Sequence, residues 1–115
     1  MDIEKQVCSF ELSKQLKTLG IKQDSLFWWK GTSTKANIVY NRVGVTTGKN
    51  HIICSAFTTS ELGFLLPPFD IDYYQFGEYW YCRYRKNKID KTIPNKNEVN
   101  ARAEMLIYIT KNKMV

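Results

Sequence analysis

Histidine occurs once in this 115-residue chain, at His51, and the three cysteines, Cys8, Cys54 and Cys82, stand far apart with no Cys-x-x-Cys spacing. So few ligands leave nothing to hold a metal, and an odd, scattered cysteine set argues against a disulfide framework. The thiols read as buried. A nucleophilic cysteine would need a base, and His51, three residues before Cys54, falls on the opposite face of a strand by simple alternation. No apolar run approaches the roughly 18 residues that cross a bilayer. Met1-Asp2-Ile3-Glu4-Lys5 also lacks the basic-then-apolar order of a signal peptide, so the expectation is a cytoplasmic protein with no membrane partner.

Catalytic patterns are equally sparse. Gly44-Val45-Thr46-Thr47-Gly48-Lys49-Asn50 invites comparison with a phosphate-binding P-loop, but its glycines are one residue too close and Asn50 stands where a Ser or Thr must bind magnesium. Asp70 and Asp72 flank Ile71 as a pair of acids, yet no third acid or histidine is near, and they read as turn residues after Pro67-Pro68. The chain is therefore expected to be no enzyme and to carry no cofactor and no metal.

What is present is an aromatic, basic chain. The length bounds it to one domain, 1–115, with one core. Aromatic residues make up 14% of it, enough large buried area per residue to make disorder untenable. The net charge of +6 bears on partners and solubility, not on fold. It is segregated: Arg83 to Lys91 holds five cations against Asp90 alone, whereas Glu61 to Glu78 holds acids and no Lys or Arg.

Helix signals appear three times. Ser9 is a natural N-cap for a helix over Phe10 to Leu19, with Leu12, Leu16 and Leu19 at helical spacing and Gly20 supplying a left-handed end. Thr58 and Glu61 form a capping box, Phe57 is placed to staple onto Leu62, and Pro67-Pro68 stops that short helix. Asn97 caps the longest helix, Glu98 to about Lys111, whose stripe of Val99, Ala103, Leu106, Ile107 and Thr110, widened by Met105 and Ile109, faces the core while Asn100, Glu104 and Lys111 face away. Arg102 falls inside that apolar arc. Its simplest explanation is an i,i+4 pair with Glu98, and the alternative is a carboxylate from elsewhere, Glu61 being the candidate.

Strand signals come as two pairs, Leu26–Lys30 with Asn37–Tyr40, and Tyr73–Phe76 with Tyr79–Arg85 around Gly77. His51–Ala56 reads as a short extended lead into the middle helix, and Lys86–Lys96 as a polar connector. The expected fold is α+β: a four-stranded antiparallel sheet from two hairpins with three helices, in the order α-β-β-α-β-β-α.

Glu78-Tyr79-Trp80-Tyr81-Cys82-Arg83-Tyr84-Arg85-Lys86 is the densest signal. On a strand, alternate residues share a face, which groups Trp80, Cys82 and Tyr84 for packing and sets Tyr79, Tyr81, Arg83 and Arg85 together on the other side. Rings beside guanidinium groups suit bases, phosphates or an acidic protein surface. The candidate binding residues are Tyr79, Tyr81, Arg83, Arg85, Lys86 and Lys88. They would engage a protein or a nucleic acid; the same face could instead form a homodimer, or a pocket for a small anionic ligand of nucleotide type.

Three further stretches carry a resemblance: Val7-Cys8-Ser9-Phe10-Glu11-Leu12-Ser13-Lys14-Gln15-Leu16-Lys17, Ser55-Ala56-Phe57-Thr58-Thr59-Ser60-Glu61-Leu62-Gly63, and Asn100-Ala101-Arg102-Ala103-Glu104-Met105-Leu106-Ile107-Tyr108. In this order, over most of the chain, they resemble short uncharacterised proteins of prophages and other mobile elements of Bacteroidota. The group's usual Glu-Trp-Tyr before the fourth strand stands here as Glu78-Tyr79-Trp80-Tyr81. The resemblance implies a genomic context and no chemistry. Together with the basic-aromatic strand, it leads to the expectation of a small non-enzymatic accessory protein of a phage or mobile element.

Overall fold

The computed structural model describes residues 5–31, 36–40, 51–67 and 69–112, with backbone alone at 40, 51 and 52. In chain order the elements are α1 (Phe10–Thr18), β1 (Phe27–Gly31), β2 (Ala36–Tyr40), β3 (His51–Ala56), α2 (Thr59–Leu65), β4 (Ile71–Phe76), β5 (Tyr79–Lys86), β6 (Ile89–Asn95) and α3 (Glu98–Lys111). The α+β class is as expected. The single four-stranded sheet is not: there are two three-stranded antiparallel sheets, ordered β2-β1-β3 and β4-β5-β6. The Gly44–Asn50 loop lies outside the described residues.

Each hairpin acquires a third strand, one from the segment read as a short extended lead and one from the segment read as a polar connector. His51–Ala56 pairs along β1 with a bulge between the partners of Trp29 and Lys30, which face Cys54 and Ile52 and leave Ile53 as the extra residue. Strict alternation does not hold across such a bulge, so the argument that set His51 and Cys54 on opposite faces does not apply here. Lys86–Lys96 is not a connector. Asn87 takes a positive φ of 58° at the first position of a two-residue turn, as hairpin turns favour, and β6 returns beside β5. Along β6 Ile93 packs against the core while Asp90 and Thr92 are exposed, so its apolar signal is thin. Pro94 is tolerated because, among the described residues, β6 has a strand neighbour on one side only.

The helix boundaries follow their caps. Ser9 accepts from the Leu12 amide, and beyond Leu19 the amides of Gly20 (φ 89°) and Ile21 return to the carbonyls of Lys17 and Leu16, the paired bonds of a Schellman end. The Thr58–Glu61 capping box closes in both directions. Phe57 and Leu62 are buried in one cluster.

Two buried clusters result among the described residues. Val7, Trp29, Cys54 and Ala56, with Phe10 and Ile38 against them, fill the space between the first sheet and α1. The larger one joins Leu16, Phe57 and Leu62 to Cys82 and Tyr84 of β5 and to α3. The hydroxyl of Ser13 links the two: it lies 2.8 Å from Cys8 Sγ and accepts from Trp29 Nε1 at 3.1 Å.

The last helix is more deeply enclosed than one apolar stripe implies. It packs on α1, α2, β5 and β6, and Val99, Ala101, Ala103, Met105, Leu106, Ile107 and Ile109 are all buried. Asn100 and Glu104, expected to face away, are half-buried instead: Asn100 accepts from the Ser9 amide and Glu104 from the Asn95 amide group. Of the two readings of Arg102, the helical pair is the observed one, Nη2 donating to Glu98 Oε2 at 2.7 Å. Glu61 is engaged otherwise, accepting from the amides of Thr58 and Leu26.

All three cysteines are free and buried. Burial pushes each thiol up, Cys54 to about 11 and Cys82 to about 12, with Cys8 raised as well. None is a thiolate near neutrality, which removes the species a nucleophile requires. Iodoacetamide at about pH 8 should leave the folded protein unmodified and label all three cysteines after denaturation. Labelling of the native protein would refute the burial. Because the folded values exceed the ordinary value of 9.0, stability is full below about pH 9 and falls as pH rises toward 11 and 12.

Candidate functional site: the outer face of the second sheet

Two tight turns set the register that composes this face. Gly77, at φ 64°, and Glu78 close the β4–β5 hairpin with Phe76 opposite Tyr79, so Tyr74 falls opposite Tyr81 and Asp72 opposite Arg83. Asn87 and Lys88 close the next hairpin and set Arg85 opposite Asp90 and Arg83 opposite Thr92. Directly opposed residues of an antiparallel pair share a face. The inner face of this sheet holds Ile71, Tyr73, Cys82, Tyr84 and Ile93, which pack into the core.

Four of the six candidates are brought together on the outer face: Tyr79, Tyr81, Arg83 and Arg85. The rings of Tyr74 and Tyr81 stack at 5.0 Å between centroids with planes 13° apart, and Tyr79 is tilted against Tyr81 at 6.5 Å. Phe76 extends the aromatic row and is 77% exposed. The other two candidates do not join it. Lys86 alternates to the opposite side at the end of β5, and Lys88 sits in the turn.

The guanidinium groups are not free cations. Arg83 grips Asp90 through both Nε (2.9 Å) and Nη2 (2.6 Å), the fork geometry that binds a carboxylate most firmly. This bond holds the Asp90 carboxyl below its usual range and raises Arg83. Arg85 Nη2 donates to Asp72 Oδ2 at 2.9 Å. The face is thus an aromatic row ending in two ion pairs. Around Arg85 lies an open cleft of about 350 Å³ shared with Phe69, Asp70, Asp72, Lys86 and Asn87.

Sequence reasoning that stops at one strand misses Tyr74, Phe76, Asp72 and Asp90. The signal that finds three of them is the two-residue spacing at Gly77-Glu78, which fixes the register of β4 against β5. Asp90 needed recognition of β6 as a strand.

Comparison of the chain with protein-family models, with curated proteins and with solved structures gives no match. The site stands on its own geometry. Among the described residues, no helix is long and apolar enough to cross a membrane.

Proposed function

We propose that this is a small non-enzymatic accessory protein of a phage or mobile element that binds a host or phage macromolecule through the outer face of β4, β5 and β6. The observation that carries the reading is one exposed surface bearing Tyr74, Phe76, Tyr79 and Tyr81 beside Arg83 and Arg85. Tyrosine and arginine are the side chains over-represented where protein interfaces concentrate their affinity. The mobile-element context rests on the sequence resemblance.

The pairing of both arginines with aspartates favours a protein over a nucleic acid as the macromolecule. A phosphate backbone is bound by cations that release counter-ions, whereas Asp72 and Asp90 already neutralise the two guanidinium groups. A protein surface can accept the row of rings and leave the ion pairs at the rim.

The test is capture of partners from host lysate by the tagged protein, with and without nuclease, run beside a Tyr79→Ser/Tyr81→Ser variant. The expected result is a protein that survives nuclease and is lost with the variant. Nuclease-sensitive material would reverse the choice of macromolecule, and equal capture by the variant would refute the face. The same internal neutrality also favours a second reading, two copies meeting face to face; light scattering at high concentration would then give twice the monomer mass, and the tyrosine variant would restore the monomer.

A further inference from the structure

A cleft of about 510 Å³ opens on the other side of the second sheet, between the beginnings of α2 and α3. Its walls include Lys5, Lys96, Trp80, Thr59, Ser60 and Glu98. We infer that this cleft is a second site, separate from the outer sheet face, and that it takes a small anion bearing a planar ring, a mononucleotide in chemical class.

The argument rests on which groups in the cleft are already used. The helix ends supply little, because Thr58 and Asn97 accept from the amides of Glu61 and Val99 and so cap their own helices. Glu98 is engaged by Arg102 at 2.7 Å, which removes its charge as an obstacle. Lys5 and Lys96 make no ion pair with any described residue, and both are exposed. Ser60 and Thr59 hydroxyls and the Trp80 indole N–H have no hydrogen-bond partner among the described residues. Two lysines with no ion pair among the described residues, together with Thr59, Ser60 and Trp80, therefore line one concavity, in the size range of small-molecule sites.

Each part answers a part of the ligand. The ammonium groups and hydroxyls are donors for phosphate oxygens, with the cationic bonds the stronger. The indole offers an aromatic surface for a base. Lys96 also stands 6.0 Å from the Tyr79 ring centre, so the cleft borders the outer face without sharing its arginines.

Calorimetric titration of the full chain with the four ribonucleoside monophosphates, adenosine and inorganic phosphate tests this. At least one monophosphate should bind, with adenosine and phosphate each weaker. Lys5→Glu/Lys96→Glu, at two exposed side chains, should weaken it by about a hundredfold or more while the circular dichroism stays unchanged. Binding should quench indole emission, and Trp80→Phe should abolish the quench, since Trp28 and Trp29 are buried in the first sheet. Arg83→Glu/Arg85→Glu should leave this affinity intact, which separates the site from the proposed protein-binding face. Failure of every monophosphate to bind at millimolar concentration, equal binding by the lysine variant, or phosphate binding as tightly as the nucleotide would each overturn the inference.

Discussion

Arg102→Ala should lower stability by on the order of 3 kcal/mol and the unfolding midpoint by about 10 °C. No other charged side chain is expected to matter as much. Its side chain, 15% exposed, does four things at once. It pairs with Glu98, donates from Nη1 to the Thr59 carbonyl at 3.3 Å, lies over the Tyr73 ring at 3.7 Å, and fills the space beside Gly63. It thereby ties α3 to α2 and to β4. Alanine would strip the cation from the ring, orphan a half-buried carboxylate and open a void.

The carboxylate is the larger part of that loss. Removing one partner of a buried pair costs more than removing both, because the survivor stays desolvated. Arg102→Met with Glu98→Gln should therefore recover most of the stability lost by Arg102→Ala, and a thermal melt of the three variants would show it. If the double variant melts no higher than Arg102→Ala, packing rather than charge dominates at this position. Lysine is no substitute, since an ammonium cannot serve Glu98, the carbonyl and the ring with one planar group. Gly63→Ala probes the same clamp from α2: a Cβ there would meet Arg102 Nη1 at 2.8 Å, so the guanidinium would have to shift.

Arg83→Glu/Arg85→Glu should reduce partner binding by about a hundredfold or more while the domain stays folded. The two effects separate because of where the charges sit. Both ion pairs are on the exposed face, where such pairs add little to stability, and the β5 backbone ladder does not depend on them. Reversal places glutamates beside Asp72 and Asp90, turning a neutral face into one with four acids. A partner matched to the neutral surface would meet repulsion that salt relieves in part. Affinity unchanged by the double variant would remove Arg83 and Arg85 from the site.

How much of this could be read beforehand differs by element. The three helices were legible because each begins with a side chain that satisfies its first amides: Ser9, Thr58 and Asn97 set the boundaries that are observed. The grouping of Tyr79, Tyr81, Arg83 and Arg85 was legible from alternation alone. The pairing of a third strand onto each sheet was not, although His51–Ala56 already read as extended. Strand β6 keeps little apolar surface and contains Pro94, and β3 is interrupted by a bulge, so neither shows a clean two-residue period. Asp90, the partner of Arg83, was hidden for the same reason, whereas Asp72 follows from the Gly77-Glu78 register of β4 against β5. The enclosure of α3 was also understated, because a helix packed on several sides loses the contrast between faces that the eye looks for.

The position of α3 in the chain has a consequence for biosynthesis. The inner face of the second sheet, from Ile71 to Ile93, packs largely against residues that follow it, Val99 to Ile109. A nascent chain that has emerged as far as β6 must hold Cys82, Tyr84 and Ile93 without their cover until α3 leaves the ribosome. Synthesis adds about 5–20 residues per second, so the exposed interval lasts on the order of a second, long compared with hairpin formation. During that interval the growing sheet is open to chaperones and to neighbouring nascent chains, and a stalled ribosome before Glu98 would leave a sticky half-domain.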